Sequence, residues 1–101
     1  MYNIRTTFNE ERNTFHDTSI LGNFIDNHDN PRFLNLQPSV TLMKGALTYA
    51  MTSEGIPIMY YGTEQLFNGG QDPYDREALW PTDLKKTDTY HWIARLNEVR
   101  T

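Results

Sequence analysis

The sequence has no cysteine, which removes disulfides, thiolate metal sites and cysteine nucleophiles together without settling the compartment. It has no excess of positive charge. Nine Lys and Arg against thirteen Asp and Glu give a net charge of −4, and no basic patch accumulates to neutralise a phosphate backbone, which argues against nucleic acid as a partner. It has no long hydrophobic run: the apolar stretches are a few residues, against the roughly 18 that a membrane helix needs. The opening residues MYNIRTTFNEER are polar and mixed in charge, unlike a signal peptide. Repeats, low-complexity tracts and Ser/Gly linkers are missing too. What remains is ordinary globular composition, with 38% hydrophobic and 22% charged residues in 101. That length allows one domain, or part of one.

The polar residues 1–16, with aromatics at Tyr2, Phe8 and Phe15, read as the end of a helix followed by a loop. Residues 20–26, Ile-Leu-Gly-Asn-Phe-Ile-Asp, form a compact run that stops at Asn27-His28-Asp29-Asn30-Pro31, as a strand ending in a polar tip does. From Ser39 to Ser53, apolar residues at Val40, Met43, Ala46, Leu47, Ala50 and Met51 recur at helical spacing. Ser39 can cap that helix and Gly55 can close it. A second apolar run, Ile56 to Tyr61, stops at Gly62, with Pro57 early enough for its missing donor to be tolerated. About 35 residues separate the two strand starts, the size of a βαβ unit with parallel strands. Residues 63–83 carry the turn signals Gly69-Gly70, Asp72-Pro73 and Trp80-Pro81. A last helix is expected from about Thr87, with Trp92, Ile93, Leu96 and Val99 on its apolar side. The class is α/β.

Active sites in parallel α/β proteins gather at the carboxyl ends of strands. Asp26 to Arg32 follows the first strand and holds two carboxylates, an imidazole and a guanidinium, suited to acid–base work or charge stabilisation. If extension persists, Asp26 and His28 share one side, and Asn27 and Asp29 the other. The plainer reading is a polar turn, because Asp and Asn are turn formers. A metal site is poorly supported, since no second histidine lies within a helical turn of His28. The second cluster runs from Tyr61 to Glu64-Gln65 and on through Gly69 to Glu77. It has no Lys-Ser/Thr for a phosphate loop and no dinucleotide fingerprint. Tyr60, Tyr61, Tyr74 and Trp80 are flat enough to stack on sugar rings, or to be core.

FIDNHDNPRF, residues 24–33, resembles the alpha-amylase family of glycoside hydrolases, in which Asn-His-Asp closes the seventh barrel strand. GIPIMYYGTEQ, residues 55–65, is similar to the family's eighth strand, and GGQDPYDREALW, residues 69–80, to a loop of its fungal-type members. Met1-Tyr2-Asn3 is similar to the stretch that precedes strand seven in that group. The resemblance covers nearly the whole chain, with three motifs in the family's order and separations.

The resemblance implies that residues 1–101 are the C-terminal portion of a (β/α)8 TIM barrel, around strands seven and eight. A whole barrel takes roughly 250 residues, so the fold is expected to be incomplete as given. It also implies roles. Asp29 matches the family's catalytic carboxylate that stabilises the transition state. His28 matches the histidine that binds sugar hydroxyls at the cleavage point, Asp72 and Arg76 a pair that binds sugar further along, and Glu64 an acid of structural role. Asp26 falls at a variable position, where replacement by Asn is expected to be much milder than at Asp29. Nothing here resembles the motifs of the nucleophilic Asp and the acid/base Glu, so the isolated chain is expected to be inactive. The whole enzyme is expected to be a secreted, calcium-containing monomer that cleaves α-1,4 bonds in starch, glycogen and malto-oligosaccharides with retention, with no calcium ligand in this segment and no nucleic acid or membrane partner. Alternatives are an α-glucosidase, a transglycosylase, a non-catalytic glucan-binding relative and, outside the family, a small free-standing domain.

Overall fold

Ser39 leaves the polar stretch before it in extended backbone, and its hydroxyl accepts the Leu42 amide at 3.2 Å, so a helix starts where a cap is available. In the computed structural model, which describes residues 4–101, that helix is α3, Val40–Thr52. Before it come α1, Ile4–Thr14, a 3-10 turn at Thr18–Ile20, strand β1, Gly22–Asn23, and the short helix α2, Phe33–Leu36. After it come β2, Ile56–Pro57, 3-10 turns at Thr63–Gln65 and Trp80–Thr82, and α4, Asp88–Arg100, capped by the Thr87 hydroxyl. The similarity at Met1-Tyr2-Asn3 lies outside the described residues.

β1 and β2 pair in parallel, Gly22 opposite Ile56 and Asn23 opposite Pro57, with α3 as the connection between them. The Ile56 amide donates to Leu21 O at 2.7 Å and the Ile58 amide to Asn23 O at 2.8 Å. Both strands are shorter than the apolar runs that mark them. At the start of the first run, Asp17 accepts the Ser19 amide at 2.9 Å and its hydroxyl at 2.6 Å, winding Thr18–Ile20 into a turn. At the end of the second, Gly62 turns the chain with a φ of 86°. Gly55 joins α3 to β2 at a φ of 120°, and a Cβ there would stand 2.6 Å from Leu21 O, so only glycine brings the strands together. The helix itself ends at Thr52 with Ser53, rather than the expected Gly55, as its cap.

Met43, Leu47 and Met51 of α3 form the core with Leu34 and Leu96, and Ile25, Phe33 and Ile93 pack against them. The α3 stripe is therefore as read, except that Val40 is exposed. On α4, Ile93 and Leu96 face the core, whereas Val99 is exposed and Trp92 half-exposed with the Lys44 ammonium 5.5 Å above its ring. The α4 end is held instead by Arg100, whose guanidinium donates to Met51 O at 2.7 Å and to the Ser53 and Gly55 carbonyls. Those bonds satisfy groups that the end of α3 leaves unpaired.

Candidate functional site

The site begins where β1 runs out. Asn27 folds its side chain back on the chain, its Oδ1 accepting the Asp29 amide at 3.1 Å and the Asn30 amide at 3.0 Å. This Asx-type turn breaks strand alternation at once. Asp26 points inward and is 5% exposed, whereas His28 and Asp29 stand out in solvent, with Nε2 of one 3.5 Å from Oδ1 of the other. The expected sharing of one side by Asp26 and His28 does not occur, because the chain turns before it can alternate.

A second loop meets this turn from the far side of β2. Arg76 donates to the His28 carbonyl through Nη2 at 3.2 Å and Nε at 3.4 Å, and its Nε lies 3.2 Å from Asp72 Oδ1. His28, Asp29, Asp72 and Arg76, more than forty residues apart at the extremes, thus collect around a single turn. Gly69 makes this loop possible: a Cβ there would stand 1.8 Å from Tyr74 O. Glu64 stays in its own loop, accepting the Gly62 amide at 3.0 Å, and its carbonyl accepts the Thr87 hydroxyl that caps α4.

Beneath the exposed cluster lies a buried one that sequence reasoning missed. The Arg32 side chain is fully buried. Its Nε donates to Asp75 O and to Glu77 Oε1, each at 3.1 Å, and its Nη1 to Tyr61 O at 2.7 Å. Its guanidinium carbon sits 4.1 Å above the Tyr60 ring, a cation–π contact. Burial, reinforced by the neighbouring Tyr61, pushes the Tyr60 phenol above its ordinary range. The same region contains Asp75, which is fully buried; its carboxylate oxygens and Arg32 Nη2 have no hydrogen-bond partner among the described residues. Of the four aromatics considered as sugar platforms, Tyr60 is half-buried and Tyr61 is exposed, both with a face toward the Arg32 guanidinium, while Tyr74 and Trp80 are 74% and 81% exposed. Nothing in the periodicity of the chain marks Arg32 as interior.

Asp26 is also part of the buried layer. Its Oδ1 accepts the Phe33 amide at 2.7 Å, its Oδ2 accepts the Thr63 hydroxyl at 2.8 Å, and Arg32 Nη1 lies 3.9 Å from Oδ2. A variable position in the family resemblance is here a buried carboxylate with two donors, which is costly to disturb. Among the described residues no group of three His, Cys, Asp or Glu side chains is placed to hold a metal ion.

A parallel strand–helix–strand unit with its polar residues beyond the carboxyl ends of both strands is the repeating unit of open parallel sheets and of (β/α)8 barrels alike, and the family resemblance implies an incomplete section of a barrel. Comparison with known proteins is specific about which barrel. The model of the alpha-amylase catalytic domain matches residues 1–97. Alpha-amylase 1 of Lipomyces kononenkoae is 53% identical over 85 residues, which are 83% of this chain and 14% of that one. The structure of an alpha-amylase from Malbranchea cinnamomea superposes with a TM-score of 0.91 at 38% identity, covering 96% of this chain and 21% of that one. A cyclomaltodextrin glucanotransferase superposes at 0.87 with 36% identity, covering 96% of this chain and 20% of that one. The chain belongs to the alpha-amylase family, and spans about a seventh to a fifth of the length of these relatives.

Proposed function

We propose that residues 1–101 form the C-terminal portion of the catalytic barrel of a secreted, monomeric, retaining alpha-amylase that cleaves α-1,4-glucans. The observation that carries this reading is the convergence of His28, Asp29, Asp72 and Arg76 around one exposed turn beyond β1. Glycoside cleavage passes through an oxocarbenium-like state in which positive charge develops at the anomeric carbon. Asp29, exposed and negative, stabilises that charge, and His28 beside it donates to a hydroxyl of the same glucose unit. The exposed Asp72–Arg76 pair binds a sugar further along the chain. The nucleophile and the acid/base belong to residues outside this stretch, as do the ligands of the calcium expected in the whole enzyme.

The test is a chimera in which these residues replace the matching stretch of the Lipomyces kononenkoae alpha-amylase. It should hydrolyse starch. A folded chimera without activity would overturn the reading. The 101-residue polypeptide alone should hydrolyse none and should show weak amide protection in hydrogen exchange. A two-stranded sheet leaves two edges unpaired, and its small core cannot replace the missing barrel. Starch hydrolysis by the purified chain would contradict this.

Arg76→Ala in the chimera should raise KM for maltoheptaose several-fold more than for a short aryl maltoside. An ion pair this exposed contributes on the order of 0–1 kcal/mol to stability, so its loss should fall on binding. Equal damage to both substrates would mean that Arg76 acts only by holding the His28 carbonyl. The match to a glucanotransferase favours a second reading, transglycosylation within the same barrel. Cyclic rather than linear maltodextrin products from the chimera would select it.

A further inference from the structure

The turn that carries His28 and Asp29 is exposed, yet it is closed at its base by one buried carboxylate. Asp26 Oδ1 takes the Phe33 amide from the start of α2, so that the chain leaves and re-enters at the same point. Oδ2 takes the Thr63 hydroxyl from the turn after β2, and Thr63 is itself 1% exposed. The base of the turn is thereby tied to the end of the neighbouring strand as well as to itself. Arg32, the last residue before α2, completes the hold through Tyr61 O and Glu77, and its amide donates to Gly69 O at 2.9 Å.

We propose that Asp26 is a positioning residue: through Phe33 and Thr63 it fixes the turn 27–32 on the end of β2, and so sets where the Asp29 carboxylate stands. The proposal rests on the alpha-amylase reading only for the role of Asp29. Asp26 is buried and two hydrogen bonds deep, so it touches no substrate itself. A carboxylate serves here because both donors need an acceptor at once, beside a guanidinium. An amide offers one acceptor and turns an N–H₂ group toward the other donor. The Thr63 hydroxyl is the one side-chain donor to Asp26 among the described residues, which makes it the cleaner place to cut the link.

The test compares Asp26→Asn, Thr63→Val and Thr63→Ser in the chimera described above. Thr63→Val keeps the shape of the side chain and removes its hydroxyl, whereas Thr63→Ser keeps the hydroxyl. Misplacing a catalytic group by a fraction of an ångström to an ångström costs on the order of ten- to a hundredfold in rate. The expected result is a fall of about tenfold in kcat per folded molecule for Asp26→Asn and Thr63→Val. KM for maltoheptaose should stay within about twofold, and Thr63→Ser should keep wild-type kcat within about twofold. Hydrogen exchange at the Asp29, Asn30 and Phe33 amides should quicken at least about tenfold in Thr63→Val and remain near wild type in Thr63→Ser. A residue that only stabilised the fold would lower the folded fraction and leave kcat per folded molecule alone. Unchanged kcat in Thr63→Val, or equal losses in Val and Ser, would overturn the proposal. If Asp26→Asn does not fold, the Thr63 pair decides. If the unsubstituted chimera is folded but inactive, the functional reading fails, and the exchange rates alone decide whether Thr63 and Asp26 hold the turn.

Discussion

Asp29→Asn in the chimera should lose at least a hundredfold in kcat while the protein remains folded and still binds glucan. The side chain is exposed, and its one close polar neighbour among the described residues is the His28 imidazole at 3.5 Å. Nothing in the packing depends on it, so the near-isosteric amide should leave stability within the small range usual for surface changes. The loss should fall instead on the transition state. A carboxylate held near the anomeric carbon interacts more strongly as positive charge develops there, and an amide does not. Removing one preorganised electrostatic group typically costs on the order of a hundred- to a thousandfold in kcat. Turnover of starch, circular dichroism and retention on a glucan column measure the three parts separately. A variant that keeps more than about a tenth of wild-type kcat would remove Asp29 from the catalytic role. Asp26→Asn should lie between this variant and wild type, since it displaces the charge without deleting it.

Arg32→Met should have the opposite signature, a large loss of stability with no substrate contact involved. The guanidinium is fully buried and serves the Asp75 carbonyl, Glu77 and the Tyr61 carbonyl, with Tyr60 beneath it. Methionine fills much of the space but leaves these acceptors, the buried Asp26 carboxylate and the half-buried Glu77 carboxylate without their cation. Breaking a buried ion pair by removing one partner costs on the order of 3–5 kcal/mol. A shift of that size in the denaturant midpoint of the chimera, at unchanged slope, is the expected result. Arg32→Lys should recover less than half of it, because one ammonium cannot reach acceptors on several sides as a planar fork does. Arg76→Ala, at the exposed guanidinium, should shift the midpoint by less than about 1 kcal/mol. A loss below about 1 kcal/mol for Arg32→Met would mean that the buried network holds little of the fold together.

The contrast between these two arginines, and between Asp26 and Asp29, separates what is local in this chain from what is not. Helices α3 and α4 are legible because their causes are local. Ser39 and Thr87 carry hydroxyls at the caps, and Met43, Leu47 and Met51 recur at helical spacing. The parallel pairing of β1 and β2 follows from the length of the connection between them. The four exposed candidate residues are legible as polar residues in the loops after the strands and as motifs in a family's order. Which of two aspartates three residues apart is buried is not legible, because the answer lies with Thr63 and Arg32 rather than with their neighbours in sequence. The same holds for Arg32, whose acceptors come from residues 61–77, and for Val99, exposed although its spacing fits the α4 stripe. A hydroxyl cap or an apolar period acts within one turn of the chain. The burial of a charge depends on partners brought from tens of residues away, and only tertiary structure supplies them.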